Sequence, residues 1–124
     1  MTPEDLEKLL VLAEQTKARD LAAYAQQVQQ KQALEQARAE LDARRQGGAD
    51  FVALARWQNW VSREQARLAA AIREIGEAMD ESRARAVRAS ARVQALEMLL
   101  ERARLAALRQ SRRRAEQNGV PPDA

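Results

Sequence analysis

Residues 51 to 107 read FVALARWQNWVSREQARLAAAIREIGEAMDESRARAVRASARVQALEMLLERARLAA, and their apolar side chains recur with a period of seven. Two interleaved series make up the pattern. They are Leu54, Val61, Leu68, Ile75, Ser82, Ala89, Leu96 and Ala103, and Phe51, Gln58, Gln65, Ile72, Met79, Ala86, Val93, Leu100 and Ala107. Alternating spacings of three and four place these residues on one stripe of a helix, the a/d seam of a left-handed coiled coil. Only three of the entries are polar.

Composition indicates the same class. Charged residues make up 31% of the chain and aromatic residues only 3%, which is typical of long helices and unlike a sandwich or barrel. The chain has no cysteine and no histidine, so it lacks thiolate nucleophiles, the commonest metal ligand and the usual general base. We therefore expect no catalytic residues, no cofactor, no metal and no enzymatic activity.

The distribution of hydrophobic residues predicts a cytoplasmic protein. There is no run of 18 or more apolar residues of the kind that spans a membrane. The first residues are acidic where a signal peptide would be basic and then apolar, namely Glu4, Asp5, Glu7 and Glu14.

The chain is predicted to form two helices in a single coiled-coil domain. Thr2-Pro3-Glu4-Asp5 is a helix start, with Thr2 as the cap, Pro3 in the first turn and Asp5 reaching back. The paired glycines of Gln46-Gly47-Gly48-Ala49-Asp50 end this helix, and Asp50 caps the next. A P-loop is excluded there because no lysine and Ser/Thr follow. We expect helices over residues 3–46 and 51–117, a turn over 47–50 and a frayed tail over 118–124.

A short turn between long amphipathic helices predicts an antiparallel coiled-coil hairpin of the all-α class, with a longer C-terminal helix. If the helices fold back at the glycines, the start of the first lies opposite about residue 94. Roughly 23 residues of the second helix, ~35 Å, then project beyond it. This overhang remains apolar, which favours a binding site there or self-association.

Two further features have a structural and a functional interpretation. Between Arg102 and Arg114 there are six arginines and no acidic residue, whereas residues 1–50 carry seven basic and nine acidic residues. The basic end is either a solvated helix terminus that suits the helix dipole or a docking surface for an acidic partner. Trp57 and Trp60 either close the turn end of the hairpin or contact a partner.

The layout resembles the FliJ family of flagellar type III export proteins and the related YscO-like injectisome proteins. The resemblance rests on a first helix rich in leucine, a central break and a longer second helix rich in Arg, Ala and Gln that ends in basic residues. The residues of the first helix that carry the resemblance are Leu6, Leu9, Leu10, Leu12, Ala13 and Glu14. The resemblance covers about residues 6–117 and is one of overall pattern, not of a diagnostic motif.

The resemblance implies a stalk that sits in the pore of the hexameric export ATPase, contacts the cytoplasmic domain of the export gate and works with export chaperones at the inner-membrane export apparatus. It implies a gate contact at Leu68, Ala71 and Ile75. One helical turn before Leu68, the family can carry an aromatic residue. This chain has Glu64 there, and Trp60 lies one turn before Glu64.

For the ATPase ring we expect contacts from the overhang, with leucines lying against the ring's axis and arginines meeting acidic groups. The residues are Leu96, Leu100, Leu108, Arg102, Arg104, Arg109, Arg112, Arg113 and Arg114. Two other function classes stay open at this point. One is a coiled-coil adaptor or chaperone unrelated to secretion. The other is a non-specific nucleic-acid binder using the arginines, although the net charge is only +3.

Overall fold

The structure is a computed structural model and describes residues 1–44 and 51–119, with Phe51 described by its backbone alone. It contains two long helices, α1 (Pro3–Ala43, 41 residues) and α2 (Phe51–Gln117, 67 residues). The described residues contain no strand, so the all-helical class is confirmed. The predicted turn at Gly47-Gly48, the cap at Asp50 and the end of the first helix at residue 46 lie outside the described residues, as do residues 120–124.

The first turn of α1 is held by the predicted capping box. The backbone N–H of Asp5 donates to the Thr2 hydroxyl oxygen at 3.2 Å, and the backbone N–H of Thr2 donates to Asp5 Oδ2 at 3.1 Å. Each side chain thus satisfies a backbone donor that the helix leaves without a partner. The expectation for this helix start is confirmed.

The end of α2 follows from a glycine. Gly119 has a φ of +70°, in the left-handed region that L side chains rarely adopt. Its N–H donates to the Glu116 carbonyl at 3.2 Å, and the N–H of Asn118 donates to the Arg114 carbonyl at 3.0 Å. These bonds satisfy carbonyls of the last turn, which is why the helix stops at Gln117.

The chain divides into two compact units. The central unit is Asp20–Arg85, and the terminal unit joins Met1–Arg19 with Ala86–Ala124. The core of the central unit is Leu41 of α1 with Val61 and Leu68 of α2, and Leu34 and Trp57 pack against it. At its edge Gln65 Nε2 donates to Asp42 Oδ1 at 2.6 Å. This hydrogen bond explains one of the three polar seam entries.

The terminal unit has a core of smaller side chains. Its buried hydrophobic residues are Leu6, Ala13, Ala86, Ala89, Val93 and Leu100. Beside them Arg104 Nη2 lies 2.7 Å from Glu7 Oε1, an ion pair between two residues 97 positions apart in the chain. This pair places the second turn of α1 next to residue 104 of α2.

The buried residues of α2 follow the seven-residue seam. From Leu54 to Ala103 every seam position except Gln58 is buried or half-buried. Gln58 is exposed, and Ser82, the third polar entry, is small and buried. A polar residue is thus found where the seam is open to water, where it has a hydrogen-bond partner, or where it occupies little space.

The predicted position of the overhang is wrong. We expected the start of α1 opposite about residue 94, but Glu7 pairs with Arg104. The estimate assumed that pairing is centred on the glycines, whereas Asp42 lies beside Gln65 in the central unit, which centres pairing there near position 54. In the terminal unit the Glu7–Arg104 pair is centred near position 55, so the residues of α1 there lie opposite later residues of α2 than predicted.

The exposed end of α2 is therefore shorter than predicted and begins later. Every residue from 105 to 117 is exposed except Ala115, which is half-buried. These residues form about 20 Å of helix. We call residues 105–117 the exposed end.

The capping box should make α1 sensitive to acid. The backbone N–H of Thr2, and after it the Thr2 hydroxyl, lowers the pKa of Asp5 below its ordinary value of 3.8. A lowered pKa in the folded state stabilises it above the unfolded value, and this contribution disappears as pH falls through the folded value. The melting temperature of Asp5→Asn should lie below that of the wild type at about pH 6 and match it at about pH 2. An equal difference at both pH values would contradict the assignment.

The pairing of α1 with α2 in the terminal unit can be measured with spin labels, because the chain has no native cysteine. Labels at Glu7→Cys and Arg104→Cys should be close, since these residues form an ion pair. Labels at Glu7→Cys and Ser90→Cys should be separated by a further axial distance of about 20 Å. Pulsed dipolar spectroscopy that finds the 7/90 pair closer than the 7/104 pair would contradict this register.

Candidate docking surfaces

The three residues predicted to contact the export gate lie near one another on α2 but differ in exposure. Leu68 belongs to the core of the central unit and is only 4% exposed. Ala71 and Ile75 are half-buried and line a groove between α1 and α2. A partner can therefore reach Ala71 and Ile75 without opening the unit, whereas Leu68 is buried in its core.

This groove, which we call the apolar groove, has a volume of about 550 Å³. From α2 it is lined by Ala71, Glu74, Ile75 and Ala78, and from α1 by Gln30, Ala33 and Leu34. Small alanines on both helices leave the space, and the two polar residues lie among apolar ones. The groove suits apolar side chains of a partner peptide or helix.

A second, smaller groove of about 190 Å³ lies in the central unit beside the tryptophans. The rings of Trp57 and Trp60 stack with centroids 5.2 Å apart and planes inclined by 28°. Trp57 packs against the core, while Trp60 is 43% exposed. The two tryptophans therefore suit different roles. Trp57 packs against the core, and Trp60 is exposed enough to contact a partner.

Charged side chains bound this second groove. Arg67 Nη2 donates to Glu64 Oε2 at 2.8 Å, and Arg67 Nε lies 3.2 Å from the same oxygen. This bond lowers the pKa of Glu64 and raises the pKa of Arg67, so both groups stay charged. Glu64 therefore presents a carboxylate that is already paired with its neighbour Arg67 on the same helix. One Trp57 atom, Nε1, is buried without a hydrogen-bond partner among the described residues.

The residues predicted to contact the ATPase ring fall into two groups. Leu100 is 5% exposed and Leu96 is half-buried, so both are packed in the terminal unit. Leu108 is 50% exposed, Arg104 is paired with Glu7, and the remaining arginines are exposed. These exposed arginines are Arg102, Arg109, Arg112, Arg113 and Arg114. Leu105, at 46% exposure, shares the exposed end with Leu108 but was not among the predicted ring contacts.

The α1 side of the apolar groove was also missed by sequence reasoning. Its residues Gln30, Ala33 and Leu34 lie where the apolar spacing of the first helix is irregular. The signal that was available is the spacing of seven between Leu34 and Leu41, which places both beside the same core. Two leucines at that spacing, in a stretch (29–44) whose other residues are polar or alanine, mark the side that faces a neighbour.

No group of three or more metal-ligating side chains comes together within residues 1–44 and 51–119. No helix in this part of the chain combines the length and the apolar character needed to cross a membrane.

Comparison of the chain with protein-family models, with curated proteins and with solved structures finds no match.

Proposed function

We propose that this chain is the stalk component of a type III, flagellar-type, protein export ATPase complex and has no enzymatic activity of its own. In this proposal α1 and α2 form an antiparallel coiled-coil hairpin whose longer C-terminal helix enters the hexameric ATPase, while the central unit contacts the export gate. The chain then lies in the cytoplasm at the inner-membrane export apparatus, where it also meets export chaperones.

The exposed end of α2 is the observation that supports the proposal most. Residues 105–117 have almost no cover, yet they carry Leu105 and Leu108 together with Arg109 and the triplet Arg112, Arg113 and Arg114. A helix end that is both apolar and basic is suited to enter a pore whose lining offers apolar and acidic groups. Leu96 and Leu100 are packed in the terminal unit, so the ring contact is assigned to Leu105, Leu108 and the exposed arginines.

The two kinds of side chain have different roles in this contact. An exposed ion pair contributes only about 0.2 to 1 kcal/mol, so the arginines mainly steer and orient the approach. Burial of a leucine contributes roughly 1.5 to 3 kcal/mol, so Leu105 and Leu108 supply most of the affinity. The kinetics of binding should separate them.

Truncation of the exposed end tests the ring contact. A chain ending after Arg104 keeps the Glu7–Arg104 pair and the buried seam, so its helicity and melting temperature should stay near those of the wild type. It should fail to stimulate the hexameric export ATPase of the organism that encodes this chain. A chain ending after Gln117 is the matched control and should stimulate normally.

Replacement of Arg112, Arg113 and Arg114 by glutamine should slow association and weaken its dependence on salt, with a smaller effect on dissociation. Stopped-flow or surface-based kinetics at two salt concentrations would measure this. If the chain that ends after Arg104 binds and stimulates the ATPase normally, the exposed end is not the docking element, and a coiled-coil adaptor unrelated to secretion becomes the better proposal.

The apolar groove supports the gate contact. Ala71→Asp places a charge in the groove at a half-buried position, so binding to the export gate's cytoplasmic domain should fall by at least tenfold while helicity is retained. Leu68→Ala removes core volume instead and should cost about 2 to 5 kcal/mol in free energy of unfolding. Calorimetric titration of the gate domain with both variants separates contact from stability. Unchanged affinity of Ala71→Asp would exclude the apolar groove as the gate contact.

A further inference from the structure

A second seven-residue pattern runs along the terminal-unit part of α2, on a face different from the buried seam. Its positions alternate by four and three, and every one of them is exposed. They are Val87, Ala91, Gln94, Met98, Glu101, Leu105 and Leu108. Val87 is 62% and Met98 is 56% exposed. At 3.6 residues per turn these positions lie about 150° around the helix from the buried seam. We call them the outer stripe.

The large apolar side chains of the outer stripe are not a general property of α2. Val52, in the first turn of α2, occupies an equivalent heptad position, but the positions from 59 to 84 are exposed and their only apolar residues are alanines. These positions are Asn59, Arg63, Ala66, Ala70, Arg73, Glu77, Asp80 and Ala84. An exposed helix face ordinarily carries polar residues, and alanine is common there because it is the best helix former. The change to Val, Met and Leu after residue 86 leaves a line of large apolar side chains in water, which marks an interaction surface.

The residues that flank the outer stripe are basic. Counting Ala91, Met98 and Leu105 as a positions, the seven e and g positions between 88 and 109 hold Ser90, Ala95 and five charged residues, of which four are arginines and one is glutamate. The charged residues are Arg88, Arg102, Arg104, Arg109 and Glu97. Arg104 already pairs with Glu7, whereas Arg88, Arg102 and Arg109 have no ion-pair partner among the described residues. Flanking charges of this kind select the partner of a coiled-coil helix.

The charges favour an acidic partner over a second copy of this chain. If two copies met in antiparallel orientation, their e positions, which are mostly arginine, would face one another and cost affinity, whereas a parallel pairing would gain the Glu97–Arg102 pair but set Arg104 against Arg109. A helix with glutamate or aspartate beside its apolar residues would pair with Arg88, Arg102 and Arg109 instead. Gln94 and Glu101, the two polar entries of the stripe, would fix the register of such a partner, as polar a or d residues do.

We infer that the outer stripe docks an amphipathic helix of another protein, one with apolar a and d positions and acidic flanks. The outer stripe shares Leu105 and Leu108 with the end assigned to the ATPase ring, but Val87, Ala91 and Met98 lie outside that end, so variants at Val87 and Met98 test this inference separately from the stalk function. Both sides of α2 are then used in the terminal unit, with the buried seam packed within the chain and the outer stripe taking the partner.

Two synthetic peptides of about 21 residues test the inference, each with three heptads and the same leucines and isoleucines at a and d. One has glutamate at e and g, the other lysine. Titrated by fluorescence anisotropy against the full chain, the glutamate peptide should bind at least tenfold more tightly than the lysine peptide, and its affinity should fall with added salt. Equal affinity for both peptides, or tighter binding of the lysine peptide, would overturn the acidic partner.

Variants locate the binding. Val87→Gln with Met98→Gln removes two exposed apolar side chains and should weaken the glutamate peptide at least tenfold at unchanged helicity. Asn59→Gln with Ala70→Gln places the same residues at equivalent heptad positions of the central unit and should leave binding unchanged. Equal binding by the two double variants would show that the peptide does not use the outer stripe. Sedimentation gives a second test. The proposal would also be overturned if the wild type were a dimer that does not bind the glutamate peptide and if Val87→Gln/Met98→Gln were a monomer, because a second copy would then cover the stripe.

Discussion

The narrow buried seam of α2 is the constraint on which the rest of the structure depends. A helix that packs against one neighbour can bury only one stripe of side chains, and the other faces stay in water. The core of each unit is therefore a few residues, such as Leu41, Val61 and Leu68 in the central unit. Because so little is buried, a polar residue on the seam must be exposed to water, small, or hydrogen-bonded, and Gln65 is hydrogen-bonded to Asp42. The grooves follow from the same constraint, since small side chains along two paired helices leave open space between them.

The period of seven predicted what depends on local sequence. It indicated the second helix, and the seam positions it identified are largely the buried positions of α2. The capping box of Thr2 and Asp5 could also be predicted, because its hydrogen bonds join residues three apart. Register could not. A seam whose apolar entries are nearly equivalent packs about equally well after a shift of one or more heptads, so periodicity leaves the pairing of α1 with α2 open. The contacts that fix it, Gln65 to Asp42 and Arg104 to Glu7, join residues far apart in the chain.

The candidate sites were predictable only in part for the same reason. Ala71 and Ile75 were placed by helical spacing, but the groove that they line depends on which residues of α1 face them. Leu96 and Leu100 looked available because the overhang was expected to begin near residue 94, and the observed register covers Leu100 instead. The outer stripe is visible in the sequence. Its apolar residues can be interpreted as an interaction surface only when burial shows that a different stripe of α2 forms the core.

The distribution of side-chain size along the seam connects the outer stripe to stability. In the terminal unit the buried seam contains Ala13, Ala86 and Ala89, whereas the core of the central unit is built from leucine and valine. Hydrophobic stabilisation scales with buried apolar area at about 25 cal/mol per Å², so alanines contribute less than leucines at equivalent positions. These three positions therefore contribute less than leucines would, and they lie in the unit whose helix has a second apolar stripe. A partner that binds only the folded helix stabilises it by mass action. Docking on the outer stripe would then add stability to the unit that contains these alanines.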